Sequence, residues 1–536
     1  MTNNLGRLRV GKFLGWSPDN DKFVDTVPGV GNQKARLSVP GWCYSTQNVL
    51  FRRGYIDKRE GDTEFLDDFT EDIELIDQYF LRDGTDQLVI CTNTKISKYN
   101  PTTLDKTDLN SGLSGSSNRK WKSEFAADGL FYLTNYGIGL YNWDGSASSM
   151  TLRVTDPKGA NLASFEDHLF LCDYVEGGTA NPQGVAWSDN GNATDFAIAS
   201  DKSSGRLTLG DDSSWCLLFV RLGPFFFTFK ERAIYNIQKV GGDFVFSRRI
   251  VVDGIGPLSA NAVVNLGDQA LFWAIDNFYL FWAIDNFYSF DGVRLKPLGN
   301  KDHSIKAFAS ARLDPSYYAN IVAHFIEETQ EIWWYFTSTT SSNNKNDKAI
   351  VYNIDDDAFS YHTIDAQAVG YYKQVSARLS DEITTLSDAD VTPSDSISFA
   401  ANFPLNLFSR PGGNIYYIGG SDQDGLAANI DGYFDFIFIP WEDGDVAIWS
   451  ELRLWFRRDL GSIDVDVYYQ GLLAPVETVS FVDSKKLTFN TQDTSEIAKG
   501  ILENGRFLAL RIRTEGANSR WSLTRMEAQY DPAGDV

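Results

Sequence analysis

Hydrophobic positions along this chain come in short runs rich in Val, Ile, Phe, Tyr and Trp, broken by Gly, Asn and Asp, and very few hold a helical period. That punctuation predicts an all-β protein. Several segments share one order: an apolar run, an Asp-Gly or Asp-Asn turn, a second apolar run, then an aromatic residue followed by Asp-Gly or Asn-Pro. Examples are YFLRDGTDQLVICTNTKISKYNP (79–101), WKSEFAADGLFYLTNYGIGLYNWDG (121–145) and LASFEDHLFLCDYVEGG (162–178). Later ones are LLFVRLGPFFFTFKERAIYNI (217–237), ALFWAIDNFY with its sequel FYSFDG (287–292), and EIWWYFTSTT (331–340) leading to AIVYNIDDDAF (349–359).

Two-residue turns of this chemistry continue the twist of antiparallel strands, so each segment reads as a small meander. Meanders recurring through about the first four hundred residues predict a β-propeller, with a long β-sandwich or a chain of separate sandwiches as the rival. The expected organisation is an N-terminal arm (1–34), a β-propeller (35–425) and a C-terminal β-sandwich (430–536). Within the propeller the Ser-, Thr- and Asp-rich stretch 374–412 reads as an inserted polar loop, with GGNIYYIGG (412–420) as the last propeller strands. In the sandwich, FDFIFIPW, SELRLWFRRD, SIDVDVYYQG, VETVSFVD, GRFLALRIRTE and SRWSLTRMEAQYD supply six strands between 434 and 531. SEIAKGILENG reads as a helical turn among them.

Composition narrows the function classes. The 536 residues are 43% hydrophobic, enough to bury sizeable cores. With 48 Lys and Arg against 72 Asp and Glu the formal charge is −24, which repels phosphate backbones and anionic membranes unless a basic patch intervenes. The tightest basic clusters are pairs such as Arg248-Arg249, Arg457-Arg458 and Lys485-Lys486. Cys43, Cys91, Cys172 and Cys216 lie far apart in apolar surroundings, as buried free thiols of a reducing cytosol do. The N-terminus carries no apolar signal core, and no stretch is long and apolar enough for a membrane span. Synthesis in the cytoplasm as a soluble chain is expected.

The search for chemistry assigns no catalytic, cofactor-binding or metal-ligating residue, and the chain reads as a protein that is not an enzyme. His168, His303, His324 and His362 stand apart from one another, and a lone histidine in a β-rich chain is usually a structural donor. No nucleophile elbow, zincin, phosphate-loop or dinucleotide motif is present. Paired carboxylates abound, so residue types alone leave a glycosidase open. Asp355-Asp356-Asp357 reads as a solvated turn. The loop SDNGNATD (188–195) has oxygens at alternate positions suited to calcium, but without the glycine placement and terminal Glu of an EF-hand it reads as an Asx-turn loop. Trp333-Trp334 offers stacking surface for sugars, yet neighbours in a strand face opposite ways, so part of the pair belongs to core.

The order of segments resembles the tail nozzle or tail hub proteins of tailed bacteriophages, a family also described as packaged-DNA stabilisation proteins. The residues that carry the resemblance are VPGWCYSTQNVLFRRGYIDKREG (39–61), LTNYGIGLYNWDG (133–145), LASFEDHLFLCDY (162–174) and PQGVAWSDNGNATDF (182–196). They continue in LGPFFFTFKERAIYNIQKVGGDFVFSRRIVVDGIGPLSANAVV (222–264) and end at Phe290-Asp291-Gly292. The resemblance covers about 35–365 and, more loosely, the C-terminal region. It implies a structural protein of the virion tail: a homo-oligomeric ring, a hexamer, below the portal and adaptor proteins. Such a ring continues the DNA conduit, helps to retain the packaged genome and anchors fibres or a needle. An acidic lumen suits that role because it repels passing DNA. Two other classes stay open: a carbohydrate-binding or glycan-degrading propeller on the tail, and a cellular scaffold propeller that binds peptides.

One feature stands outside this pattern, the perfect tandem copy LFWAIDNFY-LFWAIDNFY at 271–288. The pattern needs one copy, strand ALFWAI, turn Asp-Asn and strand FYSFDG. Because the period is odd, a continuous strand would turn the two copies to opposite faces, so turns are required on both sides. Perfect identity among divergent units points to a recent local duplication or a fault in the recorded sequence. Deleting Leu280–Tyr288 is expected to leave assembly intact by native mass spectrometry, and loss of assembly would show that the second copy is used.

Overall fold

A computed structural model of the chain describes residues 6–10, 13, 15–16, 42–43, 45–67, 69–80, 86–100, 103, 105–116, 118–241, 245–274, 287–299, 305–373, 404–425, 428–438, 446–457, 460–473, 479, 481–492, 497–516 and 519–532. Among them, seven four-stranded antiparallel sheets follow one another as meanders, the blades of a closed propeller. Blade 1 runs through Ile73–Phe80, Asp86–Thr92, Ile96–Asn100 and Asp105–Asn110. Blade 2 has Lys122–Phe125, Phe131–Asn135, Gly139–Trp143 and Thr151–Val154, and blade 3 has Lys158–Phe165, His168–Glu176, Thr179–Trp187 and Gly205–Thr208. Blade 4 has Cys216–Leu222, Phe225–Lys230, Ala233–Lys239 and Phe246–Asp253; blade 5 has Val263–Asn265, Ala270–Trp273, Phe287–Phe290 and Leu295–Pro297. Blade 6 has Val322–Ile326, Glu331–Phe336, Lys348–Asn353 and Ala358–Thr363.

Blade 7 differs. Its first three strands, Ala368–Tyr372, Leu405–Ser409 and Ile415–Ile418, come late in the chain, and its outer strand is Asp62–Leu66, from before blade 1. The ring is therefore closed by hydrogen bonds between two distant parts of the chain. Packing is closed too, because each neighbouring pair of blades shares a hydrophobic cluster. Trp333 and Trp334 show how: both are fully buried, Trp333 between blades 6 and 7 and Trp334 between blades 5 and 6. The period of two gives one strand a core on each face.

Besides two-stranded sheets that pair Gly15–Trp16 with Trp42–Cys43 and Gln423–Asp424 with Ala428–Asn429, two larger sheets lie outside the blades. One is ordered Ile497–Gly505, Ala447–Phe456, Ser522–Pro532, Tyr55–Lys58, Val49–Arg52, with Gly6–Val10 also paired to Ser522–Pro532. The other is ordered Ser45–Gln47, Gly432–Phe438, Phe507–Thr514, Asp464–Leu472, Lys486–Asn490. Phe434, Trp449, Val467, Leu510 and Trp521 lie in one cluster with Phe51 and Ile56, and that cluster runs on into Trp273 and Trp334 of the propeller.

These pairings correct the expected boundaries. Segment 430–536 is not self-contained, because strands between 6 and 58 enter both of its sheets. Of the arm expected over 1–34, Gly6–Val10 is a strand, Gly15–Trp16 pairs with Trp42–Cys43, and 17–34 lies outside the described residues. The polar loop expected over 374–412 contains the blade strand Leu405–Ser409, whose Leu407 and Phe408 are buried; 374–403 lies outside the described residues. Ile497–Gly505 is a strand rather than a helical turn, its pairing with Ala447–Leu454 overriding the helix-forming side chains.

The tandem copy meets the fold in one informative way. Ala270–Trp273, which runs into the first copy, pairs with Phe287–Phe290, which starts in the second; 275–286, including both expected Asp-Asn turns, lies outside the described residues. Deleting one copy returns an identical Phe-Tyr to the pairing positions and shortens the connection to AIDN, a hairpin loop of ordinary length.

Where the closing strand enters, charge is buried. Arg59, whose side chain is fully buried, donates from Nη1 and Nη2 to the two carboxylate oxygens of Asp424 at 2.8 and 2.6 Å, and from Nη2 to the Thr363 carbonyl at 3.2 Å. Beside it, Asp62 accepts from Arg410 Nη2 at 2.5 Å and from the Gly425 amide at 2.6 Å. Burial, and then the neighbouring Asp424, push the Asp62 carboxyl up, and the Arg410 guanidinium works against that push. Replacing Arg59 by Ala leaves Asp424 without its partner beside a second acid. The expected loss is about 3–5 kcal/mol of unfolding free energy, read from urea denaturation; a loss below about 1 kcal/mol would show that the pair does not hold the closure.

Candidate functional site

Every blade starts from its inner strand, so the seven starts gather on one face of the ring around its axis. This face collects half-buried charge. Lys120 Nζ, before the first strand of blade 2, donates to the Gln367 carbonyl of blade 7 at 2.6 Å. Lys122 Nζ donates to Asn261 Oδ1, which precedes blade 5. Neither pair joins neighbouring blades, so lysine side chains bridge across the axis. Asn261 accepts the Ala323 amide of blade 6 at 2.7 Å, and Lys345 of blade 6 pairs with Asp72 at the start of blade 1.

Burial sets the electrostatics. It pushes Glu74 up to about 7, against the pull of Lys120 and a bond from the Trp121 amide. Glu124, deeper along blade 2, is likewise pushed up to about 7 by burial. Burial brings Lys120 and Lys122 down to about 8, Glu74 restraining the first. At Asp72 burial acts upward, but the bonds from Lys345 and the Gly412 amide outweigh it and hold the carboxyl below its usual value. Glu74 and Lys120 act on each other beside the axis with Lys122 next to them, and acids and amines shifted toward neutrality there can bind a polar group or exchange a proton, which makes the axis the candidate site.

The residues singled out from the sequence do not come together here. His168 is buried with Nδ1 2.7 Å from the Ser188 carbonyl. His324 Nε2 lies 3.0 Å from Asn406 Oδ1 with its ring stacked on Tyr371, and burial brings it down to about 4. His362 contacts Ser360 Oγ at 2.9 Å and is pushed well below its usual value by burial, Arg59 and Arg52. His303 lies outside the described residues. The four cysteines are free and buried. In 188–195, Asp189 Oδ1 accepts from the Ser203 amide and hydroxyl at 2.8 and 2.7 Å, Asn192 Oδ1 accepts from Thr194, and Asp195 bonds Lys202 at 2.5 Å: an Asx-turn loop braced by its neighbours. Asp355-Asp356-Asp357 is more than a solvated turn, since Asp357 Oδ1 accepts from Tyr352 Oη at 2.7 Å and from the Gly299 amide at 3.1 Å. Glu74, Lys120 and Lys122 escaped sequence reasoning because ELI and RKWKSEF look like ordinary charged strand ends; only ring closure buries them.

No family model matches the chain, and no curated protein matches it. A solved structure of a fungal alcohol oxidase of the AA5 family, in complex with copper, is similar at 10% identity, covering 98% of this chain and 93% of the other, with a TM-score of 0.35. The expectation that the chain is not an enzyme is corrected here, since this matched structure is an enzyme's. At that TM-score the likeness carries no argument for oxidase activity or copper in this chain. Among the described residues, no group of three or more His, Cys, Asp and Glu side chains converges to hold a metal ion, and no helix is long and apolar enough to cross a membrane.

The raised Glu74 has a consequence for stability. Its folded pKa lies above its unfolded value of about 4.5, so the native chain keeps a proton that the unfolded chain has lost, and stability from this group falls as pH rises from about 4.5 through 7. Glu74→Gln removes that loss. Its melting temperature should match the parent's below pH 4.5 and exceed it above pH 7; equal melting temperatures throughout would place Glu74 in water.

Proposed function

We propose that the chain is a structural protein of a phage tail, assembling as a homo-oligomeric ring that continues the DNA conduit below the portal and adaptor proteins. The observation that supports this most is mechanical. The propeller is closed by an N-terminal strand, bridged across its axis by Lys120 and Lys122, and joined to two further sheets through one hydrophobic cluster. Such a block transmits load without opening.

The same bridging bears on where DNA would pass in such a ring. An axis that lysine side chains span has no room for a duplex whose major groove alone is about 12 Å wide. The conduit is therefore the hole at the centre of the ring of subunits, and the acidic surface of each subunit, with −24 formal charges, keeps the duplex from sticking. Retention of packaged DNA and anchorage of fibres or a needle follow as roles of the ring's two ends. Edges and exposed apolar side chains such as Phe225 and Val293 are available for the heterologous contacts a ring requires.

Native mass spectrometry of the purified chain, alone and mixed with its portal and adaptor proteins, tests the proposal. A closed ring, six-fold as the resemblance implies, is expected at least in the mixture. A chain that stays monomeric in both would overturn it.

A further inference from the structure

Beside the axis, on the face where the blades start, five side chains from blades 2, 3 and 4 form a second arrangement. Arg119 precedes the first strand of blade 2, and Tyr136 lies in the turn that follows its second strand. Asp173 sits at a bulge in His168–Glu176, Trp215 precedes the first strand of blade 4, and Glu231 follows its second. The Arg119 guanidinium lies over Tyr136, 4.2 Å from the ring centroid, and 5.0 Å from that of Trp215, while its Nε donates to Asp173 Oδ2 at 2.5 Å. Trp215 is pinned at both backbone groups: its amide donates to Glu231 Oε2 at 3.2 Å, and its carbonyl accepts the Glu231 amide at 3.1 Å. Even so, the residue is 45% exposed.

Two features show that this is not an idle surface. Asp173 is 4% exposed, holds a left-handed backbone conformation at φ 45°, and its Oδ1 accepts no hydrogen bond from any described residue. A buried acid in that state is unfavourable on its own account. What it achieves is to fix Arg119 beside a half-exposed tryptophan. Held together are an aromatic face, a planar cluster of donors and, bonded to the Trp215 amide, the Glu231 carboxylate as acceptor.

We propose that this platform binds a neutral pyranoside unit of a glycan. The apolar C–H face of a sugar ring stacks on Trp215, one hydroxyl accepts from Arg119 Nη, and another donates to Glu231. Charge disfavours an acidic sugar: Asp173 already balances Arg119, and Glu231 and the acidic chain repel anions. The inference does not depend on ring assembly.

The test is tryptophan fluorescence and calorimetric titration of the full chain with neutral hexasaccharides of glucose, galactose, mannose and N-acetylglucosamine. At least one should bind with a dissociation constant at or below about 1 mM, and Trp215→Ala should weaken it at least about tenfold with the melting temperature unchanged. Trp215→Phe should retain part of the affinity, and decides the matter if the alanine variant folds poorly. Binding of none of the four at about 10 mM, or equal binding by the parent and a folded Trp215 variant, would overturn the proposal.

Discussion

Arg59 and its surroundings are the constraint on which the rest of the structure depends. In the fifteen residues from Asn48 to Asp62 the chain passes from the two-sheet body to the propeller, and polar groups on the way are tied to one or the other. The Asn48 side chain donates to the Asp431 carbonyl at 2.9 Å and accepts the Thr363 amide at 2.8 Å, while its own amide donates to the Tyr361 carbonyl. Arg52 forms a two-pronged pair with Glu331, fully buried in blade 6, at 2.6 and 2.9 Å. Arg59 and Asp62 then carry the chain into the closing strand. A buried ion pair adds little net stability over an apolar substitute, but breaking one is severe, so this arrangement specifies the closure more than it strengthens it.

Rigidity here has a functional corollary. With blades locked to their neighbours by aromatic clusters and the axis bridged by lysines, the face around the axis is a fixed surface rather than an opening one. Fixed surfaces suit preorganised recognition, and both the poised acids and amines at the axis and the Arg119–Trp215 platform rely on side chains whose positions are set by other blades. The proposed conduit for DNA, by contrast, would have to be formed between subunits.

Much of the propeller was legible in the sequence because its signals are local. In ADGLFYL the turn at Asp128-Gly129, with Gly129 at φ 78°, joins two strands that pair without a slip, as the alternation and the turn chemistry require. What is set over long distances was not legible. Asp62–Leu66 pairs with residues some 350 positions later, and nothing in DTEFL marks it as the seventh blade's edge. Leu405–Ser409 was hidden because LNLFS follows a polar stretch, and Ile497–Gly505 because its side chains favour helix until a partner strand overrules them. The site failed to show for the same reason. Trp215 in DDSSWCLL and Arg119 in SSNRKW are unremarked residues of loops, and only the ring brings them within 5.0 Å.

Native-state hydrogen exchange across the stretch from Val49 to Leu66 tests most directly whether this N-terminal passage ties the molecule together. If it does, its strand amides exchange as slowly as those of Lys348–Asn353 in the centre of blade 6, and become exposed only in the same cooperative unfolding. Rapid exchange there while the other blades stay protected would contradict the account, because the propeller would then hold its shape without its closing strand.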